Sequence, residues 1–173
     1  MKIMGQIFFA AVLLCSMTAC LFKEPVFQTG FSKLDPKLAG VWVSEGKDND
    51  PRNMEFAVCL ALDDERCVLH SPALDKGGNY YEARMLKIKD RVLLQLRWLG
   101  SFGEGVSKRD SEAYTVLWVD GDLGGPSVKV RALDGDRLKG QTPAQVKAIL
   151  ESPGEDWGKV FGAPADYHRL KDH

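Results

Sequence analysis

Asn79-Tyr80-Tyr81-Glu82-Ala83-Arg84-Met85-Leu86-Lys87-Ile88-Lys89-Asp90-Arg91-Val92-Leu93-Leu94-Gln95-Leu96-Arg97-Trp98-Leu99 decides the fold. Two apolar runs flank Lys89-Asp90, a pair that suits a tight turn, and the whole reads as a hairpin. In the second run Val92, Leu94, Leu96 and Trp98 fall on one face. Leu93, Gln95 and Arg97 fall on the other. A period of two is the signature of a strand. Trp98 gains from burial and an unpaired Arg97 is costly to bury, so the first set is assigned inward. In the first run Tyr81, Ala83 and Met85 give way to Leu86 and Ile88. That change of face predicts a bulge or bend of the kind a closing sheet requires.

The same short, alternating runs extend in both directions. Upstream lie Leu38 to Val43, Met54 to Leu62 and Cys67 to His70. Downstream lie Glu112 to Asp120 and Ser127 to Leu133. Glu112 to Asp120 places Tyr114, Val116 and Trp118 on one face, Leu117 and Val119 on the other. Short strands joined by short connections are the signature of an antiparallel barrel or sandwich, and the chain is read as a mainly β, single antiparallel barrel-like domain. One helix is expected before the last strand. Thr142 is its N-cap, Pro143 its first residue and Gln145 the partner in a capping box. Val146, Ile149 and Leu150 form its apolar stripe, Pro153-Gly154 stops it, and Tyr167 to Leu170 returns as a final strand.

Composition bounds the function. The chain has 173 residues, of which 45% are hydrophobic and 27% charged, the usage of an ordinary globular domain. Lys plus Arg is 23 against 24 for Asp plus Glu, so no basic footprint for nucleic acid is present.

The first residues read MKIMGQIFFAAVLLCSMTAC. Lys2 supplies a short positive region, and Ile7 to Leu14 an unbroken apolar stretch of signal-peptide length. By itself the stretch suits a plain secretory peptide or a retained spanning helix, and residues 17–20 add a third reading. Met17-Thr18-Ala19-Cys20 resembles the lipobox of bacterial lipoproteins, with Met17 where leucine is usual. The resemblance implies cleavage before Cys20, removal of residues 1–19 and lipid attachment at the Cys20 sulfur. Two or three acyl chains anchor durably, at about 0.8 kcal/mol per buried CH₂. Leu21 rather than aspartate then implies sorting to the outer membrane of a Gram-negative cell, facing the periplasm. Residues 20–37 read as a lipidated tether, part of which lies on the domain or near the bilayer because Phe22, Val26, Phe27 and Phe31 are apolar. The domain proper is expected over residues 38–173.

Gly40-Val41-Trp42 matches the glycine-x-tryptophan signature that opens lipocalin and other calycin barrels. The resemblance implies an antiparallel barrel whose floor is closed by the tryptophan. A threonine-aspartate-tyrosine triplet, also typical of lipocalins, is absent.

Cys59 and Cys67 flank Asp63-Asp64, a turn pair. With Leu62, Asp63 and Asp64 as the loop, residue 59 faces residue 67, and an oxidising compartment would join them as a disulfide. Among candidate interior residues, Trp42, Tyr81, Leu94, Leu96, Trp98, Tyr114 and Trp118 share strand faces with apolar neighbours and could line a ligand pocket. His70, His168 and His173 have no metal spacing, no serine sits in a Gly-x-Ser-x-Gly elbow, and no metal, cofactor or catalytic set is expected. Gly100 to Asp110 is the longest break between strands and suits an entrance flap or a partner contact.

The expected function is a non-enzymatic, lipid-anchored envelope protein that binds a small hydrophobic molecule or lipid. The alternative is a protein-interaction or assembly module of the envelope with a filled core. Cys20→Ser should abolish palmitate incorporation and release the protein from membranes. A Cys20→Ser chain that still labels and still sediments with membranes would refute the lipid anchor.

Overall fold

The computed structural model describes residues 22–44, 54–73, 78–101, 113–152, 154 and 156–170. Cys20, the signal stretch, most of the Gly100–Asp110 connection and His173 lie outside them. Eight strands follow one another as an antiparallel meander that closes into a barrel. They are β1 (Gly40–Ser44), β2 (Glu55–Ala61), β3 (Arg66–Ala73), β4 (Asn79–Ile88), β5 (Arg91–Ser101), β6 (Tyr114–Asp120), β7 (Ser127–Ala132) and β8 (Ala165–Arg169). β1 closes the ring by pairing with β8 as well as β2, through Trp42↔Arg169, Val43↔His168 and Ser44↔Tyr167.

The turns 62–65, 89–90 and 121–126 lie at one end, here called the floor. The remaining connections meet at the other end, the mouth. Lys89 turns the β4–β5 hairpin with φ of 58°, a left-handed conformation for a residue with a side chain. The helix α1 (Pro143–Glu151) lies in the long β7–β8 connection. Its capping box is complete: Thr142 accepts from the Gln145 amide, and the Gln145 side chain accepts from the Thr142 amide.

The hairpin that decides the fold has the expected inward set. Leu94 and Leu96 are buried in the barrel core, with Val92 and Trp98 packed against it. The change of face in β4 needs no bulge at its middle. The register shifts between Tyr80 and Tyr81 instead, and Leu86 points outward, buried against a second core.

That second core is why outward does not mean exposed. It joins Leu86, Leu93 and Val116 of the barrel wall to Val146 and Leu150 of α1, to Trp157, Val160 and Phe161, and to Val26 and Phe27. The described part of the 20–37 tether is therefore docked along the wall. At the mouth Phe22 exchanges two backbone hydrogen bonds with Tyr114, both 2.8 Å. Midway the Gln95 side chain clamps Phe27, accepting from its amide at 2.7 Å and donating to its carbonyl at 2.9 Å. Near the floor Phe31 bridges to Leu86, under the Arg84 guanidinium at 3.8 Å. Gln95 is thus outward-facing, as alternation requires, yet only 5% exposed.

A 3-10 turn over Pro36–Leu38 then crosses the floor. Trp42 sits above it, its indole N–H donating to the Leu38 carbonyl at 3.0 Å. The Arg169 guanidinium lies over the Trp42 ring at 5.7 Å and donates to the carbonyls of Lys37 and Ala39. Gly40 beside it has φ of 135°, a backbone conformation that residues with a side chain rarely adopt.

Urea unfolding should separate the two cores. Leu96→Ala should cost about 2–5 kcal/mol as a truncation inside the barrel. Gln95→Ala should cost about 1–3 kcal/mol, because it leaves the buried Phe27 amide and carbonyl without partners. Exposed Lys87→Ala should stay within about 0.5 kcal/mol. A Gln95→Ala effect as small as that of Lys87→Ala would mean the docked segment adds nothing to stability.

Candidate functional site

Strand alternation brings Ala57, Cys59, Cys67, Leu69, Ser71, Ala83, Leu94, Leu117, Val119, Val128, Val130 and Tyr167 to the inner face, above Leu38 and Trp42. They surround a cavity of about 60 Å³. The space exists because Ala57, Cys59 and Ala83 are small where their neighbours are large. Its walls are hydrocarbon, with Ser71 and Tyr167 as the polar exceptions toward the mouth.

Of the seven residues expected to line a pocket, Trp42 and Leu94 touch the cavity. Tyr81, Leu96 and Trp98 face the same interior but fill it rather than border the space. Tyr114 and Trp118 are on the outside of the barrel. Trp118 packs edge-on against Trp157 with ring centroids 5.4 Å apart, and Arg91 and Arg131 lie over its ring at 5.2 Å. The reason is parity: Leu117 and Val119 take the inner face of β6, so Tyr114, Val116 and Trp118 must take the outer one.

The two cysteines take a different register from the one expected. The β2–β3 connection pairs Ala61 with Cys67 and Cys59 with Leu69. Cys59 and Cys67 therefore sit diagonally on the inner face, where strand geometry places Cα atoms roughly 7–8 Å apart. A disulfide draws its Cβ atoms to roughly 3.5–4.5 Å. Both are buried free thiols in this structure. A hydrogen bond to Cys67, together with burial, pushes the Cys59 thiol up, so it stays protonated.

Toward the mouth the interior becomes polar. Glu55 accepts from the Ser71 hydroxyl at 3.2 Å and from the Tyr167 hydroxyl at 3.3 Å. Asn79 accepts from the Trp98 indole at 2.9 Å and from Ser101 at 2.7 Å. Burial, then the Glu55 charge, push the Tyr81 phenol up to about 12 and raise Tyr167 as well. Among the described residues no three His, Cys, Asp or Glu side chains converge as a metal set. None of the helices described is long and apolar enough to cross a membrane.

The outer wall is divided. Over β3–β5 it carries ion pairs: Glu82 with Arg66 and Arg97, and Glu65 with Arg84. Over β1 and β2 it is apolar and continues to Val68 of β3, whereas β8 turns the exposed Asp166 and His168 outward. Val41 pairs with Val58, Leu60 with Val68, and the Leu170 amide bonds the Val41 carbonyl. These side chains have the parity opposite to the cavity lining and so face outward. Leu60 is 60% exposed, and Leu62 and Leu170 are each 55% exposed. No signal in the pattern of β1 and β2 separates this wall from the covered one, because both alternate apolar with apolar. Compared with known protein families, curated proteins and solved structures, the chain matches none.

Buried phenols give a pH signature. An unfolded tyrosine ionises near 10. With Tyr81 near 12 in the folded state, its contribution is intact below pH 10 and is lost as pH climbs toward 12. Stability should therefore fall by about 2–3 kcal/mol across that window through Tyr81. Tyr81→Phe should flatten the decline in urea midpoints, and an unchanged slope would refute the assignment.

Proposed function

We propose that this chain is a lipid-anchored cell-envelope protein, attached through Cys20, whose barrel docks an envelope protein with its outer wall. In a Gram-negative cell it would sit on the outer membrane facing the periplasm. The observation that carries this reading is the cavity of about 60 Å³. A pocket for a small hydrophobic molecule needs roughly 300–1,000 Å³. The filled interior makes the barrel a rigid support, and the exposed Leu60, Leu62 and Leu170 supply apolar contact area on its surface. No catalytic step is part of the proposal.

A second reading, an acyl or other small hydrophobic ligand inside the barrel, is favoured by one feature. The cavity wall is almost wholly hydrocarbon, and small side chains keep it open. Two variants separate the readings. Leu60→Asp with Leu170→Asp should abolish cross-linking to the envelope partner, while Ala83→Leu, which fills the cavity, should leave it intact. Native mass spectrometry of protein from its own membrane should show no retained small molecule. A retained hydrophobic molecule that Ala83→Leu expels would overturn the docking proposal in favour of the ligand.

A further inference from the structure

The docked N-terminal segment fixes where a lipid at Cys20 would leave the barrel. We infer that this segment holds the mouth of the barrel against the bilayer surface, so that the anchor sets orientation as well as location. The inference rests on the lipid anchor proposed at Cys20.

From the floor upward the segment is held at every stage. Leu34 donates to the Asp64 carbonyl at 2.7 Å and Ser32 to the Met85 carbonyl at 2.9 Å. Val26 and Phe27 are 3% and 2% exposed, beneath the Gln95 clamp. Phe22 ends the path in reciprocal backbone bonds with Tyr114, the first residue of β6, on the mouth rim. The chain has only two more residues to run from Phe22 back to Cys20. Two residues span at most about 7 Å. The floor is farther away. Tyr114 begins β6, which runs through seven residues to Asp120 at the floor end. At about 3.4 Å per residue and a barrel tilt near 40°, that path sets Phe22 roughly 15 Å above the floor, about twice the reach of the two residues.

A free linker over residues 20–37 would behave differently. Its end-to-end distance would average roughly 20–25 Å, comparable to the barrel itself. Both ends of the barrel would then visit the membrane. The docked segment removes that freedom, and the partner it selects for the mouth rim is a lipid surface. The apolar outer wall over β1 and β2 then stands roughly upright on the membrane rather than against it.

The test uses the full lipidated chain in liposomes that contain a headgroup-bound quencher. One fluorophore is attached at Pro164→Cys, exposed just before β8 at the mouth, and in a second protein at Asp90→Cys, exposed on the floor. The buried Cys59 and Cys67 stay unlabelled in the native barrel, which the parent chain checks directly. The mouth label should lose most of its emission to the quencher and the floor label little. Inserting a flexible Gly-Ser segment of about 12 residues between Cys20 and Phe22, worth roughly 20 Å of reach, should erase the difference. Equal quenching at both sites without the insertion, or stronger quenching at the floor, overturns the orientation. Palmitate incorporation is read on the same preparations. Its absence would refute the anchor, whereas lipidated protein with equal quenching would refute the orientation alone.

Discussion

Closure of the sheet between β1 and β8 is the constraint on which the rest depends. Three residue pairs join these strands, fewer than the ten that join β4 to β5. Such a short seam is reinforced from the side. Arg169 of β8 lies over Trp42 of β1 and ties the carbonyls of Lys37 and Ala39 down across the floor. One guanidinium thus links the last strand, the first strand and the 3-10 turn that precedes it. Its planar fork can serve two carbonyls while stacking on an indole, which a lysine ammonium cannot do as well. The bare Gly40 sits at the same corner, where its φ of 135° is a conformation that residues with a side chain rarely adopt. A ring closed in this way leaves no sheet edge open to pairing with another chain.

Closure also separates inside from outside, and the sequence shows the strands better than it shows which of their faces turns inward. Period-two patterning identifies the strands, and capping chemistry identifies α1 from Thr142, Pro143 and Gln145. Patterning also orients β5, because Arg97 breaks the symmetry between the two faces. β6 has no such marker. Its faces read Tyr114, Val116, Trp118 and Thr115, Leu117, Val119, and both are largely apolar because both are covered. Alternation alone cannot then say which face turns inward, and large aromatic rings pull the assignment toward their own face. The structure gives the inside to the aliphatic face and the outside to Trp118, where Trp157 and Phe161 receive it.

The remaining differences share a cause in long-range contacts that no local pattern carries. Gln95 looks like a surface residue, and only the arrival of Phe27, 68 positions away in the chain, makes it a buried clamp. Residues 22–34 lack any period because their register is set by the wall they lie on, not by themselves. The cysteine diagonal reflects a β2–β3 connection two residues longer than the loop Leu62-Asp63-Asp64 implies, because Ala61 pairs with Cys67 rather than with Glu65. Leu62 and Asp63 both donate to the Arg66 carbonyl, and Asp63 also caps the amides of Glu65 and Arg66. The turn thus satisfies its own backbone over four residues, and the strands beyond it take the register that this length imposes.

The covered and bare walls bear on function together. One side of the barrel exterior is given over to holding α1 and the N-terminal segment, which leaves β1 and β2, with Val68 of β3, as the apolar wall available to a partner. Covering the first wall does more than bury Leu93 and Val116. It converts a flexible leader into a fixed path that ends at the mouth rim. A filled interior makes sense beside that arrangement, because a barrel that serves as a support gains from rigidity and has no need of an opening toward solvent. The small cavity under Ser71 and Tyr167 is then a packing remainder, where Ala57, Cys59 and Ala83 meet in a ring too wide for them to close. The charge of Glu55 toward the mouth fits the same picture. Held by two hydroxyl donors, it keeps the upper interior polar and makes passage of a bare hydrocarbon chain unfavourable.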